Sequence, residues 1–159
     1  MDGWLLQLTR VGVVGTGLMG GLFFIFSVCI MPALDRLPPN EGTAAMQKVN
    51  STIQNPLFLL LFMGTGLAGA ALAMSSVWTW DEPNAGLRLA GGLLYFFGVF
   101  VLTMAYHVPR NNALDAATAG TAEGDALWAR FLTEWVPWNH VRAVTSIAAA
   151  ITLTLALTY

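Results

Sequence analysis

Residues 56–80 read PLFLLLFMGTGLAGAALAMSSVWTW and contain no Asp, Glu, Lys or Arg in 25 positions. A helix needs about 20 apolar residues to cross the hydrocarbon core of a bilayer. A backbone that spans lipid must also satisfy its own hydrogen bonds, which a helix does. Residues 56–80 therefore predict a transmembrane helix.

Three more stretches lack charged residues in the same way, at 11–31, 89–109 and 143–159. Charged residues make up 10% of the 159-residue chain, against about 25% in an ordinary soluble domain. We therefore expect a single transmembrane domain over residues 1–159, with an all-α, four-helix transmembrane bundle as its fold. The expected spans are at about 5–31, 56–80, 88–108 and 139–158. The first is expected to be retained, because its run of 21 uncharged residues exceeds the about 7–15 residues of a signal-peptide core.

The hydrophilic segments alternate between long and short. Residues 32–55 and 110–142 form long loops on one membrane face, and residues 81–88 form a short turn on the other. Each long loop is expected to contain a short amphipathic helix, over 40–54 and 126–135, lying across one mouth of the bundle. Pro137 is expected to break or kink the second of these helices before the last span.

Basic residues indicate the orientation of the bundle. Five belong to the long-loop face, and only Arg10 and Arg88 belong to the other. This asymmetry favours a multi-pass protein of the cytoplasmic membrane, with its long loops facing the cytoplasm. The five residues are Arg36, Lys48, Arg110, Arg130 and Arg142.

Composition also excludes some classes of function. A net charge of −2 provides no basic surface for nucleic acid. The single Cys29 supports neither a disulfide framework nor a cysteine-based metal motif. Gly17 and Gly21 lie four residues apart in the first span, a spacing that lets another helix approach closely. Tight packing within the bundle is the expected role of this pair, and homo-oligomerisation is the alternative.

Polar residues collect at the two helix ends that border the third loop. His107 lies at the end of the third span and His140 near the start of the fourth. Polar groups at membrane depth are energetically expensive, so they usually point inward. We therefore expect a polar pocket at the long-loop face. Its candidate residues are His107, His140, Asn111, Asn112, Asn139, Arg142, Trp135 and, from the first loop, Asn50.

Several motifs resemble those of the anthrone oxygenase-like family. They are PRNNAL at 109–114, the cluster Trp135, Asn139 and Arg142, MPAL at 31–34, Met46-Gln47-x-x-Asn50, and Asn55-Pro56-x-Phe58. The resemblance covers essentially the whole chain and implies a small four-span membrane protein. Fungal members with assigned activity oxidise anthrones to anthraquinones with molecular oxygen. The resemblance thus implies an oxidoreductase, of monooxygenase type, acting on a flat phenolic or anthrone-like substrate.

Such chemistry needs a base, donors for a developing phenolate oxygen and an apolar slot. An imidazole titrates nearest neutral pH, so His107 or His140 is the expected proton acceptor. Asn111 and Arg142 complete the expected catalytic set. The expected substrate-binding residues are Asn50, Asn112, Trp135 and Asn139, with Phe58 or Phe62 lining the slot.

Other functions stay open from the sequence. The two histidines lack His-x-x-x-His spacing, so we expect no resident cofactor and leave a copper or iron ion as the alternative. The second candidate function is a non-catalytic lipid- or quinone-binding membrane protein, or a small accessory subunit. A transporter is the weakest alternative, because no span contains an acidic residue. The expected partners are membrane lipids and a small apolar aromatic substrate.

Overall fold

The computed structural model describes residues 3–158, and within that range the chain forms five helices and no strand. The helices are α1 (Gly3–Asp35), α2 (Pro39–Ile53), α3 (Pro56–Trp78), α4 (Ala85–Asp115) and α5 (Ala122–Leu155). The all-α class predicted from the sequence is confirmed. The limits of the predicted domain, residues 1 and 159, lie outside the described residues, as does residue 2.

Three helices of the described residues are long and apolar enough to cross a membrane. They are α1, α3 and α4, which correspond to the first three predicted spans. The fourth predicted span, 139–158, falls in the second half of α5. That half contains Asn139, His140 and Arg142, which lower its mean hydropathy. The fourth span therefore stays a prediction.

The helix count differs from the prediction of four spans plus two short helices. The amphipathic helix expected over 40–54 is present as α2, but the one expected over 126–135 is continuous with the last span. The predicted break at Pro137 does not occur, and α5 runs for 34 residues through it. A proline inside a helix costs about 3 kcal/mol or more. Buried side chains on both sides of Pro137, including Trp135 and Asn139, hold the helix together despite that cost.

The long helices pack in a closed circuit, with α1 against α3 and α5, and α4 against α3 and α5. Three groups of buried side chains lie one after another along the length of these helices. Leu5, Leu72 and Leu153 form one end, and a group that includes Phe62 and Tyr95 forms the middle. Trp128 and Trp135 belong to the group beneath α2.

The glycines of α1 divide between two faces. A side chain at Gly15 would collide with Thr65 of α3, so this glycine permits a close helix contact. Gly17 and Gly21 are exposed, with no neighbour within 4 Å of an added Cβ. The expectation that Gly17 and Gly21 pack within the bundle is therefore wrong, because both lie on the outward face of α1.

The amphipathic α2 is fastened to the end of α4 by its amide side chains. Gln47 donates Nε2 hydrogen bonds of 2.9 Å to the carbonyl oxygens of Leu114 and Ala117. The last carbonyls of a helix have no partner in their own helix, so Gln47 stabilises this end of α4. Asn50 Nδ2 donates to Asp115 Oδ1 at 2.9 Å. These bonds fix α2 as a roof over the site described next.

Candidate functional site

A cavity of about 440 Å³ lies beneath α2, with walls from α1, α3, α4 and α5. This volume falls within the about 300–1,000 Å³ typical of small-molecule sites. Its walls are mainly apolar and rich in aromatic rings. The aromatic residues that line it are Phe23, Phe26, Phe58, Phe62 and Trp135. Its shape and composition suit a flat apolar ligand.

Arg142 of α5 lines this cavity although only 5% of its surface is exposed. Its guanidinium donates from Nη2 to Asn139 Oδ1 at 2.7 Å and from Nη1 to Thr103 Oγ1 at 3.2 Å. The carbon Cζ lies 4.3 Å from the centre of the Phe23 ring and 5.0 Å from that of Trp135. The Nε group is buried and has no hydrogen-bond partner in the described chain. The hydrogen-bond and ring contacts described for this cation are thus with neutral groups.

A second buried arginine, Arg88, differs from Arg142 in having an acidic partner. It lies at the opposite end of the helices, fully buried, and its Nη2 is 3.0 Å from Glu82 Oε2. Arg88 Nη2 also donates to Thr79 Oγ1 at 2.8 Å. A buried charge is costly unless it is paired. Arg88 has a carboxylate partner, whereas no carboxylate of residues 3–158 forms an ion pair with Arg142.

Asn139 holds Arg142 in place and is itself fixed by α1. Its Nδ2 donates to the carbonyl oxygen of Phe23 at 2.9 Å and to Ser27 Oγ at 2.8 Å. The α1 backbone is π-helical over Phe26–Ile30, next to these acceptors. Segments of π-helix often occur at functional sites. Asn139 is completely buried and does not line the cavity, so it positions Arg142.

Trp135 forms one wall of the cavity and is 3% exposed. Its Nε1 donates to Asn111 Oδ1 at 2.9 Å, which fixes both side chains. The ring stacks on Phe131 at 5.6 Å between centroids, and Phe131 stacks on Trp128 at 5.8 Å. Asn111 also lines the cavity. Because its oxygen is used by Trp135, the NH₂ group of Asn111 is left to donate to a ligand.

The structure does not bring the two histidines into the cavity. His107 is buried, and its ring lies 5.1 Å from that of Trp135 with the two planes at 84°. His140 is exposed on α5. Neither residue lines the cavity.

The two remaining predicted residues do line it. Asn50 of α2 is 2% exposed and reaches the cavity while bonded to Asp115. Asn112 is exposed at the rim. Of the eight predicted site residues, the cavity is therefore lined by Asn50, Asn111, Asn112, Trp135 and Arg142.

Sequence reasoning missed one polar residue of the cavity wall, Thr103. Thr103 lines the cavity and bonds to Arg142, and it lies in a π-helical segment of α4, Thr103–His107. Thr103 could have been found from the sequence, because it lies four residues before His107 in an apolar span and residues four apart are neighbours on a helix. Tyr95, which sequence reasoning also missed, does not line the cavity and is fully buried in the group of side chains that includes Phe62.

A metal site has no candidate ligand set among the described residues. No three His, Cys, Asp or Glu side chains converge between residues 3 and 158. The absence of a resident cofactor stays a prediction. The arrangement that is present is a fixed cation and an amide donor inside an aromatic slot. These groups can bind and stabilise an oxygen anion on a planar apolar molecule.

A family model described as Anthrone oxygenase matches residues 58–152, which is more than half of the chain. The matched region contains nearly all of α3 and α5 and the whole of α4, including Arg142, Asn111 and Trp135. The cavity walls from α1 and α2 lie outside the match. The chain has no significant match among curated proteins or solved structures.

Proposed function

The chain belongs to the anthrone oxygenase family, and we propose that it oxidises a flat, phenolic, anthrone-like substrate with molecular oxygen in the cavity beneath α2. The observation that carries this proposal is the buried Arg142, which lines an aromatic slot and has no acidic partner among the described residues. The charge that is missing from the protein is then supplied by the ligand.

The proposed reaction begins with loss of a proton from the ring carbon opposite the carbonyl of the anthrone. The resulting anion carries its charge mainly on the carbonyl oxygen. Its carbon reacts with oxygen to give a hydroperoxide, which loses water and leaves a second carbonyl. One oxygen atom enters the quinone and the other leaves as water, so no further reductant is consumed.

Arg142 is the proposed stabiliser of the anionic oxygen. A fixed cation in a water-poor site stabilises developing charge more strongly than water does. Its guanidinium is already held by Asn139 and Thr103 at 2.7 and 3.2 Å, so it needs no rearrangement to act. The guanidinium, which lines the cavity, then donates to the substrate oxygen. Asn111 donates a second hydrogen bond, and Trp135 supports one face of the rings.

Solvent at the rim of the cavity is the proposed proton acceptor. Gln54 and Asn112 are exposed and line the rim. Because Arg142 stabilises the anion, a strong protein base is not required for its formation. We assign no proton transfer to His107 or His140, since neither lines the cavity.

We also propose that the second half of α5 is a fourth span. The whole then forms a four-helix membrane bundle, with α2 on the cytoplasmic face of the cytoplasmic membrane. The packing of α5 against α1 and α4 supports this arrangement. A single cysteine introduced at the exposed Ser51 of α2, in a Cys29→Ser background, tests the orientation in intact cells. Labelling by a membrane-impermeant maleimide from outside would contradict it.

The function is tested by anthrone-dependent oxygen uptake of the purified protein in lipid nanodiscs, with metal analysis of the same sample. Isotopically labelled oxygen gas should place one labelled atom in the quinone product. Arg142→Met should abolish most uptake. Arg130→Met is the matched control, because Arg130 is exposed on the same helix. Anthrone binding without uptake by folded wild-type protein would instead favour the non-catalytic lipid- or quinone-binding function.

A further inference from the structure

The cavity is closed at its inner end and open along one side. Its inner wall is formed by buried residues, among them Phe23, Trp135 and Arg142 at 3–5% exposure. The open side is lined by Leu59, Met63 and Met104, which are 40–48% exposed. These three side chains are apolar and belong to the facing helices α3 and α4. The opening is therefore a cleft between two membrane helices.

Divergence of α3 and α4 produces this cleft. The two helices pack closely along Ala85–Tyr95 and Phe96–Val101 of α4. They separate beyond that point, where α4 continues as the π-helical Thr103–His107 segment. The first two turns of α3 consequently face a gap.

The cleft lies at a depth where lipid surrounds the protein. Met63 is seven residues after Pro56 at the start of α3, which is about 10 Å along a helix at about 1.5 Å per residue. Both α3 and α4 are long and apolar enough to span a membrane. The exposed Gln54 and Asn112 form the other side of the rim, at the α2 face. The rim thus has a lipid side and a polar side.

We infer that the cavity takes its substrate sideways from the bilayer through the cleft between α3 and α4, and that the substrate is a phenol with a hydrocarbon substituent. The phenolic ring lies between Trp135 and Phe62 with its oxygen toward Arg142. The hydrocarbon chain extends past Met63 and Met104 into lipid. This inference rests on the proposed function for the phenolic character of the ring.

Chain length gives a distinctive test of this geometry. A chain that leaves through the cleft moves from lipid to lipid, and lipid tails are as apolar as a leucine side chain. The affinity, expressed as mole fraction of ligand in the membrane, should then hardly depend on chain length. A cavity without a side opening would exclude long chains, because overfilling a packed site is destabilising.

The experiment measures equilibrium binding of para-alkylphenols with methyl, hexyl or dodecyl chains to the full-length protein in nanodiscs. For the wild type, we expect mole-fraction dissociation constants that agree within about threefold across the series. Met63→Trp and Met104→Trp narrow the cleft and should weaken dodecylphenol binding by about tenfold or more, while methylphenol binding is retained. Met74→Trp is the matched control, since Met74 is 58% exposed on the same helix, outside the cavity lining.

Two results would overturn the inference. One is loss of dodecylphenol binding by the wild type, and the other is an equal response of methylphenol and dodecylphenol to Met63→Trp. Retained methylphenol binding shows that the variants are folded. Oxygen uptake with anthrone on the same samples separates the two proposals. Binding that is independent of chain length, without oxygen uptake, would support sideways entry and contradict the oxygenase function. Oxygen uptake together with loss of dodecylphenol binding would support the oxygenase function and contradict sideways entry.

Discussion

Replacement of Arg142 by methionine should separate the stability of this protein from its function. The change keeps an unbranched side chain of similar length and removes the positive charge from the aromatic slot. Arg142 is 5% exposed, and within residues 3–158 its guanidinium donates hydrogen bonds to Asn139 and Thr103. A structural arginine and a ligand-binding arginine respond to this change in different ways.

The expected effect on folding is small because two terms oppose each other. Loss of the guanidinium leaves the buried Asn139 Oδ1 without a donor, which costs about 1–3 kcal/mol. Removal of a buried cation also removes its desolvation cost, which is about 3 kcal/mol. The free energy of unfolding of Arg142→Met should therefore lie within about 2 kcal/mol of the wild-type value.

The expected effect on a bound phenol is large. A cation and a phenolate separated by about 4 Å attract each other by about 4 kcal/mol at the effective dielectric constant of about 20 that describes protein sites. One pH unit corresponds to about 1.36 kcal/mol. A phenol bound to the wild type should thus ionise at a pH about 3 units lower than one bound to Arg142→Met. Arg142→Lys should recover part of this difference.

Titration of the phenolate absorbance of bound para-methylphenol measures the midpoint directly and needs no turnover. Thermal unfolding of the same nanodisc samples measures stability, with Arg130→Met as the control for loss of a positive charge from α5. Equal titration midpoints for bound phenol in the wild type and in Arg142→Met would refute the role given to this cation. A large loss of stability together with equal midpoints would make Arg142 a structural residue.

Three further predictions concern the roof, the helix contacts and the histidines. Gln47→Ala should lower the free energy of unfolding by about 1–3 kcal/mol, because the carbonyl oxygen of Ala117 loses its donor and that of Leu114 keeps the Ala117 N–H. Gln54→Ala should not lower it, and denaturation by a graded detergent series measures both. Gly15→Ala should destabilise the fold by about 1–3 kcal/mol, because its methyl group meets α3. Gly17→Ala should be neutral or stabilising in the same assay, and an equal loss for the two would contradict the packing described for α1. His140→Ala should leave oxygen uptake unchanged, and a substantial loss would return this exposed residue to the reaction.

Much of the architecture could be predicted because charge is read directly along the chain. Stretches without charged residues located α1, α3 and α4, and the amphipathic pattern over 40–54 located α2. A helix break at Pro137, one of the two outcomes expected there, was wrong because a local rule was applied without the packing around it. The neighbours Trp135 and Asn139 are both buried, and their contacts outweigh the local preference for a break.

The site was predicted less well because helix rotation is hard to read in a membrane protein. In water, an apolar stripe marks the inner face of a helix. In a bilayer the lipid face is equally apolar, so the pattern does not tell which residues point inward. Asn139 and His140 are adjacent in sequence, yet α5 buries the first completely and exposes the second. Polarity alone gave both the same weight.

The proposed role of Arg142 explains why the fold contains a buried charge that is energetically costly. Arg88 has Glu82 as its partner and so needs no ligand. The described contacts of Arg142 are with two aromatic ring faces and two neutral acceptors, which stabilise a buried cation but do not balance its charge. In the proposed reaction, a substrate that becomes anionic completes the ion pair only as its charge develops. The arrangement that is costly for folding would then favour the charged state of the substrate over the neutral one, which is the condition for the proposed catalysis.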